Sequence, residues 1–397
     1  KLFDFCFYIF LVLFVLFAVI FFIRNKTYTN IKGFFKREIS IIFIVISCLS
    51  IFFVFILLIT SKGEDNKGPN VLIICIETLR PDHLSCNGYH RNTTPNIDIL
   101  AKDGVNFRNA FVSIARTSPS ITSLLTGCYP KKHGITHIFP DAFDSKIKIE
   151  TLPKVLQKYG YETAVIGDYS AEMFDNIDYG FEEIICPNAI SLNSVIEREI
   201  MLDFIIFMAN FNNRIGKDLL PVLKLLEGND DPKKLYEKVT ALLNKYKKRK
   251  RFFIFAFFSA PHIPFNPVYP YYKIYTNPDY HGKNKYSCRY DDIAEISKYV
   301  EKKEISEIEI EHLKALYDGA VKSVDDQIGN LVLYLKKKCL FEKTIIIITG
   351  DHGEDFYENE TILGHGIWFK GNDNANRVPI IIRDPFLNNY RITNDSL

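Results

Sequence analysis

The sequence predicts an α/β domain with a mostly parallel sheet and helices on both faces, preceded by two transmembrane helices. Three observations carry this. From residue 70 onward, short continuous apolar runs alternate with helical patterns, as in strands buried on both faces and joined by helical crossovers. Residues 5–23 and 41–59 are apolar runs of membrane-spanning length without a charge. The chain has 397 residues and 47% hydrophobic content, enough for one large domain and an appendage.

Residues 1–60 are read as the two spans and their connector. The connector carries Arg24, Lys26, Lys32, Lys36 and Arg37 against Glu38, which assigns it to the cytoplasmic side and the rest of the chain to the outside. A cleaved signal peptide fits less well, because no small-residue cleavage pattern follows the second run. Residues 61–69 are polar, contain Gly and Pro, and read as a linker. Residue 1 is Lys, which reads as the start of a fragment.

Within residues 70–397, strands are expected at 71–76, 105–112, 162–166, 252–258, 344–348 and 378–382. Helices are expected after Thr94-Pro95, across 119–126, and over 152–159, 195–226, 232–250 and 304–340. In the stretch from Arg116 to Gly134, Ser118 suits an N-cap, Pro119 the first helical position and Gly127 the stop. A helix start offers free N–H groups and positive dipole, so a Thr117 hydroxyl there would face an anion.

A formal net charge of +2 gives no support for nucleic-acid binding. The eight cysteines show no paired spacing, so neither a zinc ribbon nor a disulfide framework is indicated. The basic run 245–251 reads as a solvated helix end.

Glu77, His262 and the pair Asp351/His352 each follow an expected strand, and open parallel sheets gather ligands beyond those ends. Glu77, Thr117, Asp351 and His352 together could bind one divalent cation, which would lower the pKa of the Thr117 hydroxyl and attract an anionic ester. A set with one imidazole favours manganese or zinc, with calcium or magnesium possible.

Several stretches, in order, resemble the sulfatase family of the alkaline phosphatase superfamily. They are residues 70–84, 94–98 and 118–134, Pro261-His262, residues 351–354, Gly364-His365-Gly366 with Lys370, and Arg377-Val378-Pro379. The resemblance implies an alkaline phosphatase-like fold. It implies that Glu77, Thr117, Asp351 and His352 are metal ligands, and that Thr117 is also the nucleophile. His262 takes a catalytic position, and Lys370 and His365 take substrate-binding ones. Such chains normally continue past a strand like 378–382, which implies a catalytic domain incomplete at its C-terminus.

The departures are specific. The formylglycine pattern of sulfatases, Cys-x-Pro-x-Arg or Ser-x-Pro-x-Arg, here reads Thr117-Ser118-Pro119-Ser120-Ile121. Oxidising Thr would give a ketone, not the aldehyde whose hydrate does the chemistry. The family's Gly-Lys-x-His reads Gly167-Asp168-Tyr169-Ser170, and a single Glu77 replaces paired Asp. This set also resembles the phosphoethanolamine and phosphoglycerol transferases of the same superfamily, whose Thr is transiently phosphorylated.

The expectation is a membrane-bound enzyme with an extracytoplasmic catalytic domain, acting on an anionic ester of an envelope lipid, polymer or glycan. Phosphoester transfer or hydrolysis is favoured. The alternatives are a sulfuric ester hydrolase working without formylglycine and an inactive sulfatase-like binding protein. Lys131 and His133 are assigned structural or surface roles. Arg80 and Asp82 are expected to brace the turn after the first strand. His83, His90, His137, His281 and His312 show no partner spacing.

Overall fold

The computed structural model describes residues 68–137, 146–186, 231–246, 251–282, 284–288, 305–358, 363–366 and 373–387. The apolar runs 5–23 and 41–59, the helix expected at 195–226, and Lys370 lie outside the described residues. Among the described residues, no helix is long and apolar enough to cross a membrane.

Seven strands form one sheet in the order β2-β9-β6-β1-β5-β3-β4. They are β1 (Asn70–Ile76), β2 (Val105–Phe111), β3 (Glu162–Gly167), β4 (Glu183–Ile185), β5 (Phe252–Phe258), β6 (Thr344–Gly350) and β9 (Arg377–Arg383). β4, β3, β5, β1 and β6 pair in parallel, while β9 is antiparallel to both β6 and β2. A two-stranded ribbon, β7 (Asp355–Phe356) with β8 (Leu363–Gly364), sits apart from this sheet.

β1 lies at the centre, between β5 and β6, and its side chains alternate between two cores. Leu72, Ile74 and Ile76 pack against Leu316, Val324 and Ile328 of α5 (Glu307–Lys337) and Leu235 and Val239 of α4 (Pro232–Tyr246). Ile73 and Cys75 face the other layer, with Ile121 and Leu125 of α2 (Thr117–Thr126); α3 (Leu152–Lys158) comes later in the chain, after a single turn at Pro130–His133. Apolar burial on both faces is what makes these runs strands without polar alternation.

Two local expectations are corrected. Arg116, with extended backbone, occupies the N-cap of α2; Thr117 is then its first residue and Pro119 its third. The Ser118 hydroxyl is fully buried and points to the Met173 sulfur at 3.6 Å, so it does not cap the helix. Gly127 does end the helix, in the left-handed conformation at φ 63 that glycine adopts without strain. β2 is an edge strand, half-buried along most of its length, and its pairing with β9 shifts between Phe107 and Ala110.

The short helix α1 (Pro95–Lys102) receives no cap from its own Thr94 side chain. Its cap comes from α5. The Asp325 carboxylate, fully buried, accepts from the backbone N–H of Asn96 at 3.1 Å, from that of Ile97 at 2.8 Å and from the Asn96 amide at 2.9 Å. Burial pushes this carboxyl up to about 6. Asp325→Ala leaves these donors buried and unmatched, so the urea midpoint is expected to fall by an amount equivalent to about 2–3 kcal/mol. A change within about 0.5 kcal/mol would show that the cap contributes nothing.

Candidate active site

Parallel register brings the site together. Ile76 of β1 pairs with Gly350 of β6, so Glu77 and Asp351 leave adjacent strands at the same level. The backbone there is tight: a Cβ at Gly350 would lie 2.9 Å from the Leu79 carbonyl oxygen. β5 ends beside β1, and the Glu77 N–H donates to the Phe258 carbonyl at 2.8 Å, which brings up the loop carrying His262.

Five of the sequence-derived residues meet in a chain of contacts. The Thr117 Oγ1 lies 3.4 Å from Glu77 Oε1 and 3.4 Å from His352 Nε2. His352 Nε2 lies 3.3 Å from Asp351 Oδ2. His262 Nε2 is 3.7 Å from Glu77 Oε1. Thr117 is 7% exposed, and Glu77, Asp351 and His352 are 2% exposed or less.

The chemistry of these donors fits a cation. Glu77 Oε2 and Asp351 Oδ2 are buried without a hydrogen-bond partner. Burial pushes the Glu77 carboxyl well above the usual range, and the Asp351 charge pushes it the same way. Burial holds His352 down at about 4, so its ring is neutral. The His352 Nδ1–H donates to the Gly353 carbonyl at 2.8 Å, which leaves the Nε2 lone pair facing the hydroxyl. Among the described residues, no group of three His, Cys, Asp or Glu side chains is drawn to ligand spacing. The Thr117 hydroxyl is the member that joins the Glu77 side to the His352/Asp351 side. Successive spacings of 3.3–3.4 Å equal the edge between donors set about 2.0–2.1 Å from a tetrahedral zinc, and wider octahedral shells also accommodate them.

His365 joins the site through its ring, 4.2 Å from that of His352 and 5.1 Å from that of His262. Its Nδ1 lies 3.0 Å from Glu354 Oε1. Glu354 is a site residue that the sequence reasoning did not single out. It is fully buried, its Oε2 lacks a partner, and burial pushes it up to about 7. Its place in the motif was visible, but its role depends on a histidine eleven residues away. Arg116 was also unassigned; its guanidinium borders the Gly366 backbone, within 3.7 Å of where a Cβ would stand.

Other positions resolve as structural. Asp168 accepts the Ser259 N–H with both oxygens, at 3.0 and 2.9 Å. Ile121, where sulfatases carry Arg, is fully buried in the apolar layer under α2. Arg80 braces its turn as expected, bonding Asp82, Glu358 and the Glu354 carbonyl. His133 is buried against Ser123, and His83 pairs with the buried Asp318 at 2.7 Å.

A family model described as Sulfatase matches residues 69–393, and the chain belongs to that family, the sulfatase-like hydrolases of the alkaline phosphatase superfamily. The arylsulfatase of Clostridium perfringens is 26% identical over 346 residues, covering 80% of this chain and 69% of the relative. Iduronate 2-sulfatase of Mus musculus is 28% identical over 366 residues, covering 83% and 62%. The chain thus spans about two thirds of the length of these relatives. The crystal structure of the phosphonate monoester hydrolase of Agrobacterium radiobacter shares the fold, with a TM-score of 0.59 at 21% identity over 80% of this chain and 68% of that one.

The unpartnered carboxylates generate a prediction. Replacing Glu77 by Gln removes a buried like charge, so chelator-treated Glu77→Gln should melt at or above the wild-type temperature. Adding millimolar manganese or calcium should raise the wild-type melting temperature while leaving the variant nearly unchanged. Equal shifts in both proteins would place the cation elsewhere.

Proposed function

We propose that this chain transfers or hydrolyses a phosphate-type ester through a covalent Thr117 intermediate. The observation that carries this reading is the setting of the Thr117 hydroxyl. It stands on the first residue of a helix, between a carboxylate and a neutral imidazole, on a side chain that cannot become formylglycine.

Glu77, Thr117, Asp351 and His352 would hold one divalent cation. When bound, it lowers the pKa of the hydroxyl and offsets the charge of the ester. The imidazole donor favours manganese or zinc, whereas the family generally uses calcium or magnesium. The chain's own groups do the rest. The Thr117 Oγ forms a bond to phosphorus as the bond to the leaving oxygen breaks, and its proton moves toward Glu77 Oε1. The α2 start directs N–H groups at the ester oxygens. The His262 Nδ1–H donates to the Ile263 carbonyl at 2.7 Å, which orients Nε2 toward Glu77. In its protonated form, that Nε2 gives its proton to the leaving oxygen. A water or an acceptor hydroxyl then displaces Thr117 from phosphorus, giving its proton to His262 while the departing Thr117 oxygen takes back the proton held by Glu77.

Sulfate ester hydrolysis is the second reading, supported by relatives named as sulfatases. It lacks the aldehyde-hydrate route at Thr117 and the cationic contact that Ile121 replaces. The apolar runs 5–23 and 41–59 support a catalytic domain at the outer face of a membrane, with an envelope lipid, polymer or glycan ester as substrate.

Bis(p-nitrophenyl) phosphate and p-nitrophenyl sulfate measure the choice directly. The phosphodiester is expected to turn over faster. Thr117→Ala should lower kcat by at least about 10³-fold, while Thr117→Ser keeps measurable turnover. Mass mapping during turnover should find the added phosphoryl group on the Thr117 peptide. Full activity in Thr117→Ala would end the proposal.

A further inference from the structure

The turn after β1 contains a feature that the ligand set does not use. Thr78 is fully buried and adopts φ 58, a left-handed conformation that is rare for a β-branched residue. Its three polar groups reach three separate parts of the chain. The N–H donates to Asp351 Oδ1 at 3.0 Å, and the hydroxyl donates to the Pro261 carbonyl at 3.2 Å. The carbonyl accepts from the Tyr317 hydroxyl at 2.9 Å. That same hydroxyl accepts the Arg80 N–H at 3.0 Å, closing a clasp around the turn.

Tyr317 is on α5 and fully buried. Its ring is held edge-on by Phe265 and Phe356, at 5.8 and 5.3 Å between centroids. Glu77 immediately precedes Thr78, and His262 immediately follows Pro261. One residue therefore ties together the loops that carry Glu77, Asp351 and His262, and a helix 239 residues away in sequence holds it in place.

We infer that Thr78 is a positioning residue, braced by Tyr317, that fixes the relative placement of Glu77, Asp351 and His262. Glycine or asparagine would adopt this backbone more easily. Neither supplies the hydroxyl that Thr78 donates to the His262 loop. The strained conformation is therefore kept for the bonds it makes possible. The inference rests on the cation site proposed above.

Manganese titrated calorimetrically into chelator-stripped protein reads the placement of Glu77 and Asp351. Turnover of bis(p-nitrophenyl) phosphate reads His262 as well. Thr78→Val keeps the shape and loses the donor; Tyr317→Phe removes one oxygen from the brace. Both are expected to bind manganese at least about tenfold more weakly and to lose at least about tenfold in kcat, with KM within about twofold. Thr78→Ser restores the hydroxyl and is expected to stay within about threefold of wild type on both measures. Tyr280→Phe removes a buried tyrosine hydroxyl that donates to Glu309, away from the site, and should leave manganese affinity unchanged.

Wild-type affinity and turnover in Thr78→Val and Tyr317→Phe, with Thr117→Ala inactive, overturns the inference and leaves the proposed function intact. A loss of affinity in Tyr280→Phe equal to that in Tyr317→Phe also overturns it, since the effect would then be general destabilisation. Absence of manganese binding by the wild type rejects the cation site itself.

Discussion

Parallel pairing of β1 and β6 imposes the constraint on which the site depends. With Ile76 level with Gly350, the next residues on the two strands are Glu77 and Asp351, and adjacent strands lie only about 4.8 Å apart. Two carboxylates are thus forced into one water-poor space, each with an oxygen lacking a partner. Burying such charge is unfavourable unless an opposite charge enters. The two apolar layers that clamp β1 supply the stability that tolerates this arrangement, and a bound cation would relieve it.

The helix that begins at Thr117 shows the same division of labour. In a formylglycine sulfatase, the position of Ile121 is cationic; here it is a fully buried anchor in the layer with Phe255 and Phe257. The helix is held by apolar packing and by hydroxyls that bond back to their own backbone, Thr122 to Ser118 and Thr126 to Thr122. Its first residue, Thr117, is the one proposed to carry the reactive hydroxyl. Asp168 and Ile121 stand where formylglycine sulfatases carry cationic residues, and both are engaged in the fold; under the proposed function, offsetting the charge of an anionic ester would fall to a bound cation and to groups such as Arg116.

Much of this was legible in the sequence, for identifiable reasons. The 252–258 run was bounded correctly because a strand buried on both faces needs no partner to be recognised. Glu77, His262, Asp351 and His352 could be placed together because strand ends in an open parallel sheet share one edge, while Thr117 was read at a helix start and His365 came from the family resemblance. The antiparallel direction of β9 was not legible, since an apolar run looks the same whichever way it pairs. The roles of Glu354 and Thr78 were also hidden. Each depends on atoms far off in the chain or on a backbone angle, and neither leaves a local pattern. Ser118 misled because a good capping residue was instead drawn into the core beside Met173.

The central position of β1 also bears on how the chain is made. Among the described strands it is the first to be synthesised, yet its neighbours come late. Asn70 bonds Phe252 across 182 residues, and Thr344 across 274. Until β5 and β6 are synthesised, both edges of β1 lack their strand neighbours, although Ile73 and Cys75 already have α2 to pack against. Long-range pairing of this kind is slow and exposes a sticky segment in the meantime. The edge that carries Glu77 and Asp351 is therefore completed only after β6 has been made.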